Sequence, residues 1–382
     1  MMLGLYVHIP FCVRRCPYCD FAIHIGAKDD LVTEYVAMLR RELENTLAAH
    51  AQSLPEQPLT SIFFGGGTPT FLSAATLAEL LQTIHDTIAV APDAEISIEA
   101  NPDRLEEDKL TALHQAGWNR LSLGVQSFDD AALKRLGRTH NAQQGEAVFD
   151  GARRAGFDNI SLDLIYALPG QSRASWHNTL ERTVQLEPEH VSCYALTIEE
   201  GTPFAKRAER GHLIPVEDDN QAVLMQDAQE ILQAAGLLRY EVSNYARPGR
   251  ECQHNLNYWR GGNYLACGCG AHGHLNGQRW WNERAAPRYV QLMQEKNSAR
   301  VGEETLTPRQ RLSEIVMLGL RLREGFSLPA TSQRLHLDAR HELNGELQDL
   351  TQRGILLEDA GVVRLAPAAI PVADAVAARL IP

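Results

Sequence analysis

The sequence predicts an α/β fold, in which the parallel sheet of a partial (β/α)6-type barrel is followed by a small C-terminal α+β domain. Over about the first two hundred residues, short apolar runs alternate six times with longer amphipathic segments, which is typical of parallel strands joined by right-handed helical crossovers. Six units are fewer than the eight of a closed barrel, so the count alone is equally compatible with a partial and with a closed barrel. Changes of pattern predict units at 1–235, 236–300 and 301–382.

Each predicted strand is short and rich in β-branched or aromatic residues, and most are followed by Gly, Pro or a polar residue. The segments between them repeat apolar residues at helical spacing. Ligands of such folds bind at the carboxyl ends of the parallel strands, so we expect the site there. The predicted strands are 3–8, 61–64, 95–99, 120–125, 159–165 and 190–196, and the predicted helices are 30–50, 74–88, 105–116, 142–155 and 174–185.

The remainder of the chain is less regular. Residues 218–235 predict a further helix, and residues 238–276 are rich in Gly, Asn and aromatic residues with little periodicity. Residues 308–323 and 343–352 predict two helices, and the segment GILLEDAGVVRLAP predicts a hairpin after them. This ending resembles a small winged-helix domain, but its charges nearly balance, so the likeness alone does not favour DNA binding.

Composition narrows the class of protein. The 382 residues include 36 Lys and Arg and 48 Asp and Glu, giving a formal charge of −12, which disfavours nucleic acid as a partner. The start of the chain lacks the basic segment of a secretory signal, and no run approaches the roughly 18 apolar residues of a membrane span. We therefore expect a cytoplasmic protein, with peripheral membrane contact left open. Three of the seven cysteines fall within eight residues, which favours a metal or redox site over disulfides.

Cys12, Cys16 and Cys19 form the pattern C-x-x-x-C-x-x-C directly after the first predicted strand. A loop of this kind can wrap three thiolates around one inorganic centre, and iron–sulfur clusters are held by cysteine thiolates. With three protein ligands, one iron of a four-iron cluster stays open for a small molecule. The alternatives are a zinc site, with His8 or His24 as fourth ligand, and three thiols without a metal.

The segment YVHIPFCVRRCPYCDF resembles the cluster loop of radical S-adenosylmethionine (SAM) enzymes. The Tyr-x-His-x-Pro-Phe that leads into it narrows the resemblance to the group containing oxygen-independent coproporphyrinogen III dehydrogenase and the HemW-type haem chaperones. The resemblance covers essentially the whole chain. It implies a [4Fe–4S] cluster on Cys12, Cys16 and Cys19, with the amino and carboxylate groups of SAM on the open iron.

The same resemblance assigns SAM-binding positions at the strand ends. The segment GGGTP contains Gly66, Gly67 and Thr68 and is similar to the family segment that contacts the amino end of SAM, although a plain turn is the alternative. Four further polar residues match SAM-contacting positions; taken singly, each is better explained as an ordinary surface or strand-end residue, with the carboxylate inside an apolar strand as the poorest fit to that explanation. Two tyrosines match positions beside the cluster and cofactor. These residues are Glu99, Gln126, Arg138 and Asp163, with Tyr6 and Tyr18.

His254-Asn255-Leu256-Asn257-Tyr258-Trp259 reads H-N-x-x-Y-W, which resembles the haem-binding motif of the HemW-type branch. An imidazole is a common axial ligand of haem, so His254 is the candidate ligand. Tyr258 and Trp259 offer flat apolar surface for the macrocycle, and Asn255 is the candidate partner that orients the imidazole. The alternative is a hydrogen-bonded histidine with two packed aromatic residues.

One departure from the dehydrogenase pattern favours the haem chaperones. The dehydrogenase has a fourth cysteine two places after the third, and this chain has Phe21 there. The resemblance therefore implies a chaperone that binds haem and transfers it to acceptor haemoproteins, respiratory ones included. The alternatives are anaerobic coproporphyrinogen III dehydrogenation and a radical SAM reaction on another substrate. No catalytic residue is assigned, and cleavage of SAM and a homodimer stay open.

The sequence assigns no chemical role to the other four cysteines. Cys193 lies in a predicted strand and is expected to be a small core residue. Cys252 directly precedes Gln253 and the haem-type motif, and no role follows from its position alone. Cys267 and Cys269, with His272 and His274 nearby, suggest a second metal site, but a C-x-C spacing is poor for chelating one zinc ion and structural packing is favoured.

Overall fold

The structure, a computed structural model, describes residues 2–53, 56–103 and 105–381. The outermost residues of the first and last predicted units, Met1 and Pro382, lie outside the described part of the chain. The strands are β1 (Leu3–Ile9), β2 (Phe11–Cys12), β3 (His24–Ile25), β4 (Leu59–Gly66), β5 (Val90–Ala100), β6 (Arg120–Gln126), β7 (Ile160–Tyr166), β8 (His190–Ala195), β9 (Leu238–Arg239), β10 (Asn244–Ala246), β11 (Asn263–Cys267), β12 (His272–Leu275), β13 (Gln278–Asn282), β14 (Arg300–Thr305), β15 (Phe326–Ser327), β16 (Leu356–Asp359) and β17 (Val362–Leu365).

The helices separate the parallel strands as predicted. The helices are α1 (Asp29–Ser53), α2 (Ala74–Thr87), α3 (Glu107–Ala116), α4 (Asp130–Arg135), α5 (Ala142–Arg154), α6 (Arg173–Gln185), α7 (Pro203–Glu209), α8 (Asp218–Ala234), α9 (Gln253–Trp259), α10 (Ala286–Lys296), α11 (Pro308–Gly319), α12 (Leu328–Leu335), α13 (Ala339–Gln352) and α14 (Ala373–Leu380).

A twelve-stranded sheet forms the centre of the molecule, in the order β14-β13-β12-β11-β1-β4-β5-β6-β7-β8-β10-β9. The six predicted strands are β1, β4, β5, β6, β7 and β8, and each pairs in parallel with the next. Within the described residues the order is linear, with β14 and β9 at the two edges. The predicted α/β class is thus confirmed, and the sheet takes the open rather than the closed form.

Burial on both faces explains the sequence of the parallel strands. In β1 every residue except Tyr6 is buried, and Leu5, Phe64 and Leu123 are fully inaccessible to solvent. Helices α1 and α2 pack over this part of the sheet, with Leu39 among the residues of the shared core. Strand β1 therefore reads as a nearly continuous apolar run, whereas β5 and β6 alternate apolar residues with polar ones that line the cavity, such as Glu99 and Ser122.

The segment 238–276, in which the sequence shows little periodicity, holds β9, β10, α9, β11 and β12. Strand β11 adds a seventh parallel strand beside β1, with Leu5 opposite Leu265. From β11 the sheet continues through β12, β13 and β14 in antiparallel pairs. These strands are short and flanked by glycine, so neither alternation nor helical spacing revealed them.

A separate small domain follows the large sheet. Strand β14, which begins at the predicted boundary, still pairs with β13, and the second core begins at α11. That core unites α11, α12, α13 and α14 with the three-stranded sheet β15-β17-β16. The predicted helices and hairpin are present, and α12 and α14 are additions. None of the helices in the described residues is both long and apolar enough to cross a membrane.

Candidate functional site

A cavity of about 710 Å³ runs through the inside of the curved sheet, a volume within the usual range for small-molecule sites. Its upper wall is the cysteine loop at the carboxyl ends of the strands. Its lower wall is α9, whose His254 lies against Gly4 and Ser61, near the starts of β1 and β4. Fifteen of the sixteen predicted site residues line this cavity, and Trp259 is the exception.

The cysteine loop is closed at its base by a short parallel pairing of β2 with β3, which sets Cys12 beside Ile25. Within the loop, the amide of Cys19 donates to the carbonyl of Cys16 at 3.2 Å. The carbonyl of Pro17 accepts from the amide of Phe204 at 2.9 Å, which ties the loop to α7. The three cysteines are therefore half-buried on one wall of the cavity.

Burial favours the neutral form of the loop thiols, although the guanidinium of Arg138 lies beside them. Burial raises the pKa of the Cys12 thiol to about 11, with smaller upward contributions from Cys19 and Cys16 and an opposing hydrogen bond from Thr68. Burial also raises the pKa of the Cys19 thiol. Among the described residues no three His, Cys, Asp or Glu side chains converge on one metal position. Three adjacent thiols at a cavity wall are nevertheless the donor set that an iron–sulfur cluster requires, and cluster binding deprotonates them.

Two glycines allow β4 to turn closely beneath this loop. Gly66 has a φ of +118°, and a Cβ at that position would lie 2.5 Å from the ring of His8. A Cβ on Gly67 would lie 2.6 Å from the carbonyl oxygen of Pro10, and the Gly67 amide donates to Ile9 O at 2.8 Å. The glycines therefore permit close contact with the root of the cysteine loop, in addition to lining the cavity.

Arg138 connects the loop to the strand ends. Its guanidinium donates to Asn101 Oδ1, to the carbonyl of Gly124 at 2.7 Å and to the Cys16 thiol at 3.7 Å. Asn101 in turn donates to Thr68 Oγ1 at 2.8 Å, and that hydroxyl lies 3.6 Å from Cys12 Sγ. This chain of hydrogen bonds sets a fixed positive charge beside the thiols, where an anionic ligand group is favoured.

Glu99 and Asp163 face the cavity from neighbouring parts of the sheet. Burial, with a smaller contribution from the charge of Asp163, raises the pKa of Glu99 to about 7, and a hydrogen bond of 3.1 Å from the Gly66 amide opposes the rise. Asp163 accepts from Ser122 Oγ at 2.8 Å and Ser161 Oγ at 3.1 Å, which satisfies this carboxylate within its apolar strand. Both carboxyl groups can accept hydrogen bonds from a ligand hydroxyl.

The remaining SAM-type positions also lie in the cavity. Gln126 ends β6 with a φ of +68°, an uncommon conformation for a residue other than glycine, at an irregularity in the pairing with β7. Tyr18 packs against Phe204, and burial raises the pKa of its hydroxyl. The hydroxyl of Tyr6 is 3.0 Å from His8 Nδ1, and burial likewise raises its pKa.

His254 is held at the floor of the cavity by both ring nitrogens. Nδ1 is 2.9 Å from Ser61 Oγ, Nε2 is 2.7 Å from the Tyr258 hydroxyl, and the ring stacks on Phe63 with centroids 5.2 Å apart. Burial, with a smaller contribution from Arg120, lowers the pKa of His254 to about 3. The imidazole is therefore neutral at physiological pH, the state that binds a metal.

The other residues of the H-N-x-x-Y-W motif lie in two different environments. Asn255 and Tyr258 line the cavity, but Ser61 occupies the position beside His254 Nδ1 that the sequence suggested for Asn255. Trp259 packs under the guanidinium of Arg321, 4.9 Å from its ring centroid, at the boundary with the C-terminal domain. The motif lies in a helix near the amino ends of β1 and β4, whereas the sequence predicted the site residues at the carboxyl ends.

Three supporting residues were not predicted. Glu95 accepts from the amides of Gln253 and His254 at 2.9 and 3.1 Å and thereby fixes the start of α9. Ser61 orients the imidazole, and Asn101 links Arg138 to Thr68. Asn101 directly follows the Glu99-Ala100 pair at a strand end, which is a usable signal. Glu95 and Ser61 contact residues more than 150 positions away, so no local pattern marks them.

The C-x-C segment supports the fold. The amide of Gly268 donates to the buried carboxyl of Glu42 at 2.7 Å, and the amide of Cys269 donates to the hydroxyl of Tyr35 at 2.9 Å. Glu42 also accepts from Tyr289 at 2.6 Å. Both Cys267 and Cys269 are buried, and burial raises the pKa of each thiol. These contacts agree with structural packing.

Comparison with known proteins identifies both parts of the chain. Residues 6–183 match the radical SAM superfamily, and residues 306–372 match the HemN C-terminal domain. The chain is 38% identical over 368 residues to the haem chaperone HemW of Mycobacterium tuberculosis (strain CDC 1551 / Oshkosh), covering 94% of this chain and 93% of the relative. It is 36% identical over 365 residues to the haem chaperone HemW of Bacillus subtilis (strain 168), covering 95% of each.

A solved structure supports the architecture independently. Coproporphyrinogen III oxidase (HemN) from Escherichia coli, described as a radical SAM enzyme, superposes with a TM-score of 0.85 at 24% identity. The match covers 100% of this chain and 90% of that one. At this identity the likeness establishes the fold and leaves the activity to other observations.

Proposed function

We propose, since the chain belongs to the HemW family of haem chaperones within the radical SAM superfamily, that it binds haem in its cavity and transfers it to acceptor haemoproteins. The observation that carries this proposal is that Cys12, Cys16 and Cys19 share one cavity with His254 and Tyr258. A cluster loop at one end and a neutral imidazole at the other provide separate positions for two iron-containing groups.

Cys12, Cys16 and Cys19 would hold the [4Fe–4S] cluster of this family. When bound, such a cluster supplies an iron with an open position for the amino and carboxylate groups of SAM. The chain itself provides the surroundings of that position. Arg138 presents a fixed cation to a carboxylate. Glu99, whose pKa is raised to about 7 by burial, presents oxygen atoms that can accept hydrogen bonds from hydroxyl groups.

His254 is the axial haem ligand that we propose. When Nδ1 donates to Ser61 Oγ, Nε2 accepts from the Tyr258 hydroxyl and carries the lone pair that iron requires. Binding of iron to Nε2 therefore requires the Tyr258 hydroxyl to move away. The ring of Tyr258 remains a flat apolar surface for the macrocycle, and Trp259 supports the end of α9 from the side of the C-terminal domain.

The dehydrogenase alternative is not favoured. Phe21 stands where that enzyme has its fourth cysteine, and its side chain is 63% exposed at the cavity wall. A phenyl ring offers no thiolate to a cluster or substrate. An anaerobic assay on coproporphyrinogen III is expected to give no protoporphyrinogen IX, and clear conversion would restore the enzyme as an explanation.

The function is tested by anaerobic reconstitution of the cluster followed by haem titration, read from the Soret band with and without SAM. Wild type is expected to bind haem stoichiometrically and to lose it to an added apo-haemoprotein. His254→Ala is expected to lose the Soret shift of an imidazole-ligated iron while retaining its iron–sulfur content. Haem binding by His254→Ala identical to wild type would refute the ligand assignment.

The proposed function also includes the location of the protein, its haem acceptors and its forms of association. We place the chaperone in the cytoplasm, with respiratory haemoproteins among its acceptors and with a homodimer and peripheral membrane contact as its forms of association. Cell fractionation locates the protein, and light scattering of the haem-loaded form measures its oligomeric state. Transfer rates to soluble and vesicle-bound apo-cytochromes measure acceptor choice, and transfer to neither would contradict this assignment.

A further inference from the structure

Arg120 is a buried cation at the floor of the cavity that the proposed function does not use. It begins β6, its side chain is only 2% exposed, and it nevertheless lines the cavity together with His254 and Ser122. A guanidinium carries five N–H donors in a planar fork and keeps its charge in proteins. A cation buried to this degree requires acceptors.

The protein groups around Arg120 leave part of that requirement unmet. Its Nε has no hydrogen-bond partner among the described residues, and the nearest carboxylate oxygen, Glu95 Oε2, is 3.9 Å away. The Glu95 oxygens instead accept from the amides of Gln253 and His254 and from the Cys252 thiol at 3.4 Å. Glu95 is thus committed to the start of α9, and it lies beyond hydrogen-bonding distance of the Arg120 Nε.

The next carboxylate is also committed elsewhere. Asp163 accepts from Ser122 and Ser161 at 2.8 and 3.1 Å. An anionic group on a ligand would therefore meet a guanidinium that lines the cavity and whose neighbouring carboxylates already accept hydrogen bonds from other donors. The fork of Arg matches the two oxygens of a carboxylate better than any other cationic side chain.

We propose that Arg120 anchors a carboxylate of the ligand that fills the lower part of the cavity. This inference rests on the proposed function, under which the carboxylate is a propionate of haem. Its contact with Arg120 would set the macrocycle at a fixed distance from His254. SAM also carries a carboxylate, and the experiment distinguishes these two sources. Arg120 would then fix the orientation of haem, while His254 binds its iron.

The test compares three ligands on the reconstituted protein under anaerobic conditions: haem, haem dimethyl ester and SAM. Wild type is expected to bind haem about 30-fold more tightly than the dimethyl ester, because one partner of a buried charged pair is absent in the ester. Arg120→Gln is expected to lose about 30-fold in haem affinity and to bind haem and its ester equally. Arg120→Lys keeps the charge and loses the planar fork of donors. Its haem affinity is expected to lie between those of wild type and Arg120→Gln.

Arg153→Gln is the matched control, because Arg153 pairs with Glu189 outside the cavity. Thermal unfolding and iron content identify variants that fold and load normally. Should Arg120→Gln fail to fold, the wild-type comparison of haem with its ester and the Arg120→Lys affinity decide the question. Equal wild-type binding of haem and ester, with no loss in Arg120→Lys, overturns the proposal.

The remaining outcomes separate this inference from the proposed function. A loss of SAM affinity in Arg120→Gln, with haem binding unchanged, supports the carboxylate site and assigns it to SAM. Unchanged affinity for both ligands in a folded Arg120→Gln variant overturns the inference and leaves the haem chaperone intact. Wild type that binds no haem, with SAM affinity unaffected by the substitution, refutes both.

Discussion

The hydrogen bond between His254 and Tyr258 sets a measurable cost on haem binding. The Tyr258 hydroxyl lies 2.7 Å from His254 Nε2, which is the nitrogen that must reach iron. A hydrogen bond of this kind contributes roughly 0.5–1.5 kcal/mol net, and this energy is lost when iron replaces the hydroxyl. Tyr258→Phe removes the competitor and keeps the ring, so we expect haem to bind about 2- to 10-fold more tightly.

The same substitution is expected to weaken the unliganded fold. Without the Tyr258 hydroxyl, Nε2 of a histidine that is 1% exposed loses its partner, which costs about 1–3 kcal/mol in the free energy of unfolding. The two readouts, a lower melting temperature without haem and a higher haem affinity, are measured on one preparation. A merely structural role would lower both stability and affinity.

Tyr264→Phe is the control, because Tyr264 contacts the Tyr258 ring edge to face at 4.5 Å and its own hydroxyl does not bond His254. His254→Ala combined with Tyr258→Phe is expected to abolish the gain, since no ligand nitrogen remains to be released. Haem affinity in Tyr258→Phe equal to or weaker than that of wild type would refute the reasoning. It would mean that Nε2 need not be freed.

Three further predictions concern the cluster, the turn beneath it and acid stability. Replacing any one of the three loop cysteines by Ala is expected to abolish incorporation of iron and sulfide, measured by chemical analysis after reconstitution. Gly67→Ala is expected to lower both the melting temperature and the cluster content, because its Cβ would lie 2.6 Å from the Pro10 carbonyl. Lowering the pH from about 6.5 towards 4 is expected to reduce the free energy of unfolding, because burial lowers the pKa of both His8 and His140 to about 4. The unfolded chain then binds more protons than the folded one, and each such histidine costs on the order of 1 kcal/mol per pH unit.

Each of these predictions has a matched control. Cys193→Ala is expected to retain the cluster, because Cys193 is buried in a core away from the loop. Gly345→Ala is expected to raise the melting temperature slightly, since it lies in α13 with no atom within 4 Å of the added Cβ. His140→Gln is expected to flatten the acid slope, measured by urea unfolding between pH 7 and pH 4.5. Full cluster in a loop variant, wild-type stability in Gly67→Ala, or an unchanged slope in His140→Gln would contradict the respective prediction.

The features that could be predicted from the sequence are those that depend on residues close together in the chain. The six parallel strands are short segments rich in buried apolar residues, so five of them could be predicted to within two residues at either end, whereas β5 begins five residues before the predicted strand. The cysteine loop could be predicted because its three ligands lie within eight residues and follow the first strand. Of the sixteen predicted site residues, those on the strand ends come together because carboxyl ends of parallel strands meet at one edge.

The features that the sequence did not reveal depend on distant contacts. Helix α9 closes the floor because Glu95, in β5, accepts the amides at its start, and this pairing has no local signal. Strand β11 could not be predicted because five residues between glycines and polar residues show no periodicity. Trp259 belongs to the same motif as His254, but its packing against Arg321 is set by a domain that follows later in the chain.

The proposed function requires that one cavity holds the cluster loop at one end and haem at the other. An iron anomalous difference map from crystals of the reconstituted, haem-loaded protein tests it directly. We expect one iron cluster at Cys12, Cys16 and Cys19 and a separate haem iron bound to His254 Nε2 inside the same cavity. A haem iron outside the cavity, or one bound to another side chain, would contradict it.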